Sequence, residues 1–390
     1  MTASTLKGEA MGTRRAFFSM RQGIAARGSI VALASVVLLA FAAPQPATAT
    51  SASPLRYAVV FTFFPPGADL GEVYRIDEGG SVQQPIHEVY DAALLSPDGT
   101  RFLDFAPNGG GTTGIFDVDG SGYRVLPPDP SLVLPGGVWS LGGTRVVTEG
   151  FDRASEASLG LFSRRSSDGG GLIRLTNAGS RRDYPALSSP DGRKLAFFRP
   201  DAPNETSDSA AQDLYVVGAR GGGLTRLTPS GYTTGVPFSY DSISWAPDGH
   251  SIAAVAAHGG FWSHTSRSVY IANVDGSTFT RVGPIGDIWE AVWSPDGQWI
   301  ALTMATKTTG GLHELFLMHP DGTSLHALTS GADGLDALHP TWSPDSSQLL
   351  FTRDAGDPGV GDLWSIGVDG SNLSRITHEP GGYLAPAWIP

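Results

Sequence analysis

The sequence predicts an all-β protein: a seven-bladed β-propeller of four-stranded blades, closed by its own C-terminal strand. Three observations predict it. A Ser-Pro-Asp phrase recurs through the chain, four β-type runs fill each interval between copies, and the two ends together supply one missing blade.

The phrase appears as "LLSPDGTRFL" from Leu94, "LSSPDGRKLA" from Leu187, "WAPDGHSIAA" from Trp245, "WSPDGQWIAL" from Trp293 and "WSPDSSQLLF" from Trp342. Its prolines, Pro97, Pro190, Pro247, Pro295 and Pro344, serve as markers. Two degenerate copies fit the frame, with Leu141 and Pro390 at the marker position. The intervals are then 44, 49, 57, 48, 49 and 46 residues. Around Pro295 the four runs read "EAVWS", "WIALTM", "HELFLMH" and "LHALT". Apolar runs of this length, punctuated by Gly, Asp, Asn and Pro, are strands. No stretch beyond residue 50 shows sustained helical periodicity.

Before the first marker lie only three runs, "YAVVF" (57 to 61), "EVYRI" (72 to 76) and "VQQPI" (82 to 86). After the last full unit comes one, "YLAPAW". Three plus one completes a blade and removes both open edges. Six or eight blades follow only if the degenerate unit around Trp139 is misread.

"SPDG" has the chemistry of a tight turn. Pro presets φ, Asp bonds nearby amides, and Gly takes the left-handed conformation that ends the turn. Asp98, Asp191, Asp248, Asp296 and Asp345 are therefore expected to cap their own loops, and the preceding Trp residues to pack blade on blade. "DVDGSG" at Asp117 and "NVDGST" at Asn273 open like calcium loops, but their twelfth positions are Pro128 and Pro284. With no bidentate Glu and no flanking helices, they read as hairpin turns.

The whole phrase "WSPDG…IAL…LFLMHPDGTSLHALT" resembles the TolB-type propeller repeat, a relative of the WD-repeat blade, over nearly the whole chain beyond the leader. The resemblance implies fold more than function, since this repeat occurs in protein-binding modules, in propellers gating serine peptidases and in some lyases. The family's type member carries a separate α/β domain before a six-bladed propeller. Here there is no room for that domain, and seven blades fit better.

The chain has 390 residues, 51 Gly, 28 Pro, no Cys and 16% charged residues. Turns rather than disorder account for the Gly and Pro, because 41% hydrophobic residues suffice for a core. Without Cys, disulfides, thiolate metal sites and a Cys nucleophile are excluded. Residues 1–49 read as a signal peptide. Lys7, Arg14, Arg15, Arg21 and Arg27 form a basic start, Ile30 to Ala43 an apolar core too short to span a bilayer, and Ala47 to Ala49 a small-residue cleavage site. "TRRAFF" also resembles a twin-arginine signal, so the export route stays open between the two systems, as does retention of the segment as an anchor. An exported product, periplasmic, cell-wall-associated or secreted, is expected to be a monomeric propeller spanning residues 50–390 with no stable membrane insertion. Cleavage leaves 21 basic against 37 acidic residues, a charge of −16. Such a field repels nucleic acid and anionic lipid.

The short repeated turns fall on one face and the irregular loops on the other, where binding is usually found. Loop 256 to 268 carries Phe261, Trp262 and His264. Entry to the innermost strands should rim the channel with Tyr90, Asp91, Asp183, Tyr184, Tyr240, Asp241, Trp289, Glu290, His339 and Tyr383. Acids, phenols and a His there suit a cation, a sugar or a peptide amine, against the bland alternative of an unliganded channel. No nucleophile elbow or metal-binding His motif is present, and no cofactor or metal is expected. The first reading is a non-enzymatic binding propeller for a protein, peptide or envelope polymer. The alternative is a lyase or hydrolase acting on carbohydrate, for which His264, His339, Glu290 and Asp241 are the first candidates.

Overall fold

Each Ser-Pro-Asp phrase does close a tight turn. In the first, Gly99 N–H donates to Ser96 O at 2.8 Å with Gly99 at φ +70°, and Asp98 Oδ1 accepts from Ser96 Oγ and from Thr100 N–H. The same bonds recur with Asp191, Asp296 and Asp345. The Asp-Gly turns between third and fourth strands cap themselves likewise, through Asp119, Asp275, Asp321 and Asp369.

A computed structural model describes residues 55–389, apart from 79, 83, 91, 106–111, 201–211, 235–241, 259–266, 307–310, 355–360 and 380. The described residues form thirty strands, and twenty-eight of them make seven antiparallel four-stranded blades. In the first blade the C-terminal strand Gly382–Trp388 lies innermost beside Val59–Phe64, followed by Gly71–Ile76 and His87–Val89. The register runs from Val59↔Trp388 to Phe64↔Gly382, so the ring closes as the ends of the sequence predict.

The outermost strand of that blade differs from expectation. It is His87–Val89, while Val82 makes only an isolated bridge to Ile76. Pro85 has no N–H to give a ladder, and this displaces pairing toward the C-terminal side.

Blades two to seven begin innermost at Leu94–Leu95, Val138–Ser140, Tyr184–Ser188, Ile243–Trp245, Asp287–Trp293 and Asp336–Trp342. Two extra strands lie outside the scheme. Leu132–Val133 extends the third blade, and Tyr232–Thr234 joins the fourth blade to the fifth as one continuous sheet.

Seven blades in a ring have seven interfaces, and each is filled by its own apolar cluster. Phe102 with Val60, Trp139 with Leu103, and Leu195 with Val147 serve the early blades. Trp245 with Phe198, Ile288 with Val255, and Trp342 with Leu317 serve the later ones. Leu350 and Leu363 against Phe61 and Trp388 close the ring. The tryptophans do more than fill space. The indole N–H of Trp139, Trp245, Trp342 and Trp388 donates to the innermost strand of the preceding blade, at Leu94, Leu187, Val292 and Thr341 respectively. Trp293 is the exception and bonds its own turn at Gly297.

Candidate functional site

On the irregular face, the end rows of the blades carry charge, and the chain must neutralise it. One device recurs. The Thr that ends the phrases "RLT", "ALT" and "RIT" after a third strand accepts that strand's N–H and donates to an acid at its entry. Thr228 serves Leu214 and Asp213, Thr329 serves Leu315 and Glu314, and Thr377 serves Leu363 and Asp362. Arg226 and Arg375 pair with Asp213 and Asp362 at 2.7 and 2.5 Å. In the third blade Gly160 stands where the acid would be, and Asp183 of the next blade supplies the carboxylate for Thr176.

Asp183 is therefore no open rim ligand. It is fully buried, with Arg199 Nε and Nη2 bonded to its two oxygens at 2.6 and 2.8 Å. Tyr184 is half-buried beneath the Arg182 guanidinium, 4.7 Å from its ring. Arg182 in turn binds the buried Glu149 across the blade boundary at 2.7 Å. Tyr383 is buried, donates to Glu379 O at 2.8 Å and packs on Phe61 and Phe63. Tyr90 is half exposed. Asp91, Tyr240, Asp241, Phe261, Trp262 and His264 lie outside the described residues.

Of the remaining three, Glu290 and His339 meet at the junction of blades six and seven, while Trp289 packs on His313. Glu290 is buried and accepts from Thr303 Oγ1. Its Oε2 accepts the backbone N–H of His339 at 2.9 Å, and its Oε1 lies 2.7 Å from His339 Nδ1. Burial pushes the Glu290 carboxyl up, but His339, Thr303 and the backbone N–H outweigh it and hold the group below the usual range. His339 sits in a bulge where the register slips between Leu338 and Thr341, at φ +56°. A non-glycine residue in that region, before a proline, is strained and persists only where its surroundings fix it.

Sequence reading missed the group beside this pair. Asp287, Ala305 and His313 form one cross-strand row at the end of blade six. His313 is buried, with Nδ1 at 3.3 Å from Asp336 of blade seven and Nε2 at 3.6 Å from Asp287. Its ring lies 4.2 Å from Trp289, whose indole N–H donates to Asp287 Oδ1. Arg267, buried at the matching row of blade five, feels Asp287 as its attracting charge against the cost of burial. Arg267, Asp287, His313 and Asp336 thus follow one another along the face. Asp287 and Asp336 are partly exposed, at 28% and 17%, so each can accept from an incoming N–H or O–H beside the half-exposed Trp289. Among the described residues, no three His or carboxylate groups converge as a metal site would require.

Residues 115–390 match the family described as the TolB beta propeller domain. A Tol-Pal system protein TolB of Anaeromyxobacter dehalogenans is 29% identical over 96 residues, which are 25% of this chain and 20% of that protein. The chain thus matches about a fifth of that curated relative's length. A puromycin hydrolase superposes with a TM-score of 0.61 at 15% identity, covering 85% of this chain and 54% of its own. An oligogalacturonate lyase from Vibrio parahaemolyticus does so with 0.57 at 14% identity, covering 81% and 94%. At these identities the two structures share the fold alone.

Proposed function

Because the chain belongs to the TolB β-propeller family, we propose that it is an exported binding propeller that recognises a protein, peptide or envelope polymer through its irregular face. One observation carries this reading. Four contacts on that face tie one blade to the next: Glu149 to Arg182, Glu290 to His339, Glu314 to Arg353 and Asp336 to His313. They fix the loop anchors as a rigid rim, and loops on a rigid rim are a recognition surface. The leader supports export, and the charge of the remaining chain favours partners other than nucleic acid and anionic lipid. Amines and hydroxyls suit the Asp287–Trp289–Asp336 row, because carboxylates accept from both and the indole offers an apolar face.

A second reading draws on His313, whose Nε2 has no hydrogen-bond partner although the ring is flanked by two carboxylates. That group would serve a carbohydrate-cleaving enzyme as its proton-transfer centre.

Capture from envelope extracts separates the two. The wild-type chain is expected to retain a protein or polymer that Asp287→Asn/Asp336→Asn and Phe261→Ala/Trp262→Ala variants retain poorly. Equal retention by all three, together with cleavage of an oligosaccharide that is lost in His313→Gln, would replace the binding reading with the enzymatic one.

A further inference from the structure

The third strands of the blades share one register, because a fixed residue in each donates its N–H into the following turn. These donors are Asp77, Asp117, Arg165, Gly218, Asn273, His319 and Gly367. The residue before each faces a neighbouring blade and is buried. In six blades it is apolar: Ile76, Phe116, Val217, Ala272, Met318 and Ile366, none more than 2% exposed. In the third blade it is Arg164, equally buried at 2%.

A guanidinium at an apolar core position is costly unless it is paired. Arg164 donates to Pro127 O at 3.1 Å, Thr113 Oγ1 at 3.0 Å and Leu134 O at 3.4 Å. Its Nε has no partner, and no carboxylate among the described residues forms an ion pair with it. Burial lowers its proton affinity, and the charge of Asp129 opposes that. Arg164 also lines a cavity of about 170 Å³ between blades two and three, walled by Pro127, Pro128, Pro130, Leu134 and Leu172. Two acids reach the same cavity, but both are satisfied. Asp168 is held by Arg165 at 2.7 and 2.9 Å, and Asp129 by Ser131 and by the amide of Leu132.

We propose that this cavity is a binding site for a small organic monocarboxylate, with Arg164 as the counter-charge and the prolines and leucines as the apolar wall. One unpaired cation calls for one negative charge. The two resident acids disfavour a dianion, and the walls favour an apolar body over a bare inorganic ion.

Benzoate is a suitable probe, with neutral benzamide and inorganic phosphate at matched ionic strength beside it. Benzoate at tens of millimolar is expected to raise the Tm of the full chain saturably, by roughly 2–4 °C, while benzamide and phosphate leave it unchanged. Arg164→Gln, which removes the charge and keeps a donor for the carbonyls, should abolish the response. Leu172→Trp fills the cavity mouth without touching the buried guanidinium and should weaken it, so the test stands even if Arg164→Gln fails to fold. No response in wild type, an equal response to benzamide or phosphate, or an undiminished response in Leu172→Trp overturns the assignment.

Discussion

Glu290 of the sixth blade grips His339 of the seventh at two points, its backbone N–H at 2.9 Å and its ring Nδ1 at 2.7 Å. The grip holds His339 in the left-handed region at φ +56°. Removing the ring leaves a buried carboxylate short of a partner, at a cost of about 3 kcal/mol. His339→Ala keeps the strained backbone as well, whereas His339→Gly relieves it, worth about 1 kcal/mol. Glycine should therefore be the more stable replacement, the reverse of the usual order inside a strand. Urea midpoints decide it, and Ala above Gly would show that the backbone at 339 carries no strain.

Ring closure has its own single-residue test. Trp388 donates its indole N–H to Thr341 O at 3.1 Å, tying the last strand to the seventh blade. Trp388→Phe keeps most of the packing and loses the bond, so it should cost roughly 1 kcal/mol. Trp293→Phe should stay within about 0.5 kcal/mol of wild type, because that indole bonds only its own turn. Ending the chain at Gly381 removes the strand altogether and leaves Val59–Phe64 an open apolar edge. Light scattering should then show aggregation; a monodisperse, cooperatively folding product would mean the ring does not depend on this closure.

How much of this was legible depended on the range of the interactions. The SPDG turn is complete within about five residues, since Asp98 bonds Ser96 and Thr100, and so its repetition counts blades directly. The missing blade was legible because strand number is conserved from unit to unit. The charged rows were not. His313 meets Asp336 twenty-three residues away, and that meeting depends on how loops of unequal length deliver each third strand to the end row. Asp183 looked like a free acid at a channel mouth because its partner Arg199 lies on the next strand. Arg164 looks like an ordinary strand residue until the turn hydrogen bonds align it with Met318 and Ile366.

The acidic turns carry a prediction about metal. Asp296 Oδ1 is filled by Ser294 Oγ at 2.6 Å and by the amide of Gln298 at 3.0 Å, which is local capping rather than a cation cage. Chelation with EDTA should leave the Tm unchanged, and added calcium should not raise it. Asp296→Ala should cost roughly 1 kcal/mol through the turn alone. A calcium-dependent rise in Tm that disappears in Asp296→Ala would make the turn a metal site after all.

Glu290 and Glu314 sit in the same blade and should respond to acid in opposite directions. Burial raises both carboxyls. At Glu290 the His339 contact and the donors Thr303 and His339 N–H win, and the group stays below the ordinary Glu value. At Glu314 burial wins over Thr329 and Arg353, with Asp333 and Asp336 adding to it, and the group lies above that value. A carboxyl depressed in the folded state contributes stability that is complete above the unfolded value of about 4.3 and is lost as pH falls through the folded one. A raised carboxyl does the reverse, weakening the fold as pH climbs from about 4.3 toward the folded value. Glu290→Gln should therefore flatten the loss of stability below pH 4.3, and Glu314→Gln should remove an opposing slope above it. At pH 7 the first variant should lose about 3 kcal/mol. The second should stay within about 1 kcal/mol, since its amide still accepts from Thr329 and Arg353 keeps Asp333 at 2.7 Å. Urea unfolding of the three proteins from pH 3.5 to pH 7 measures both slopes, and parallel curves for the two variants would mean that burial, not the His339 contact, governs Glu290.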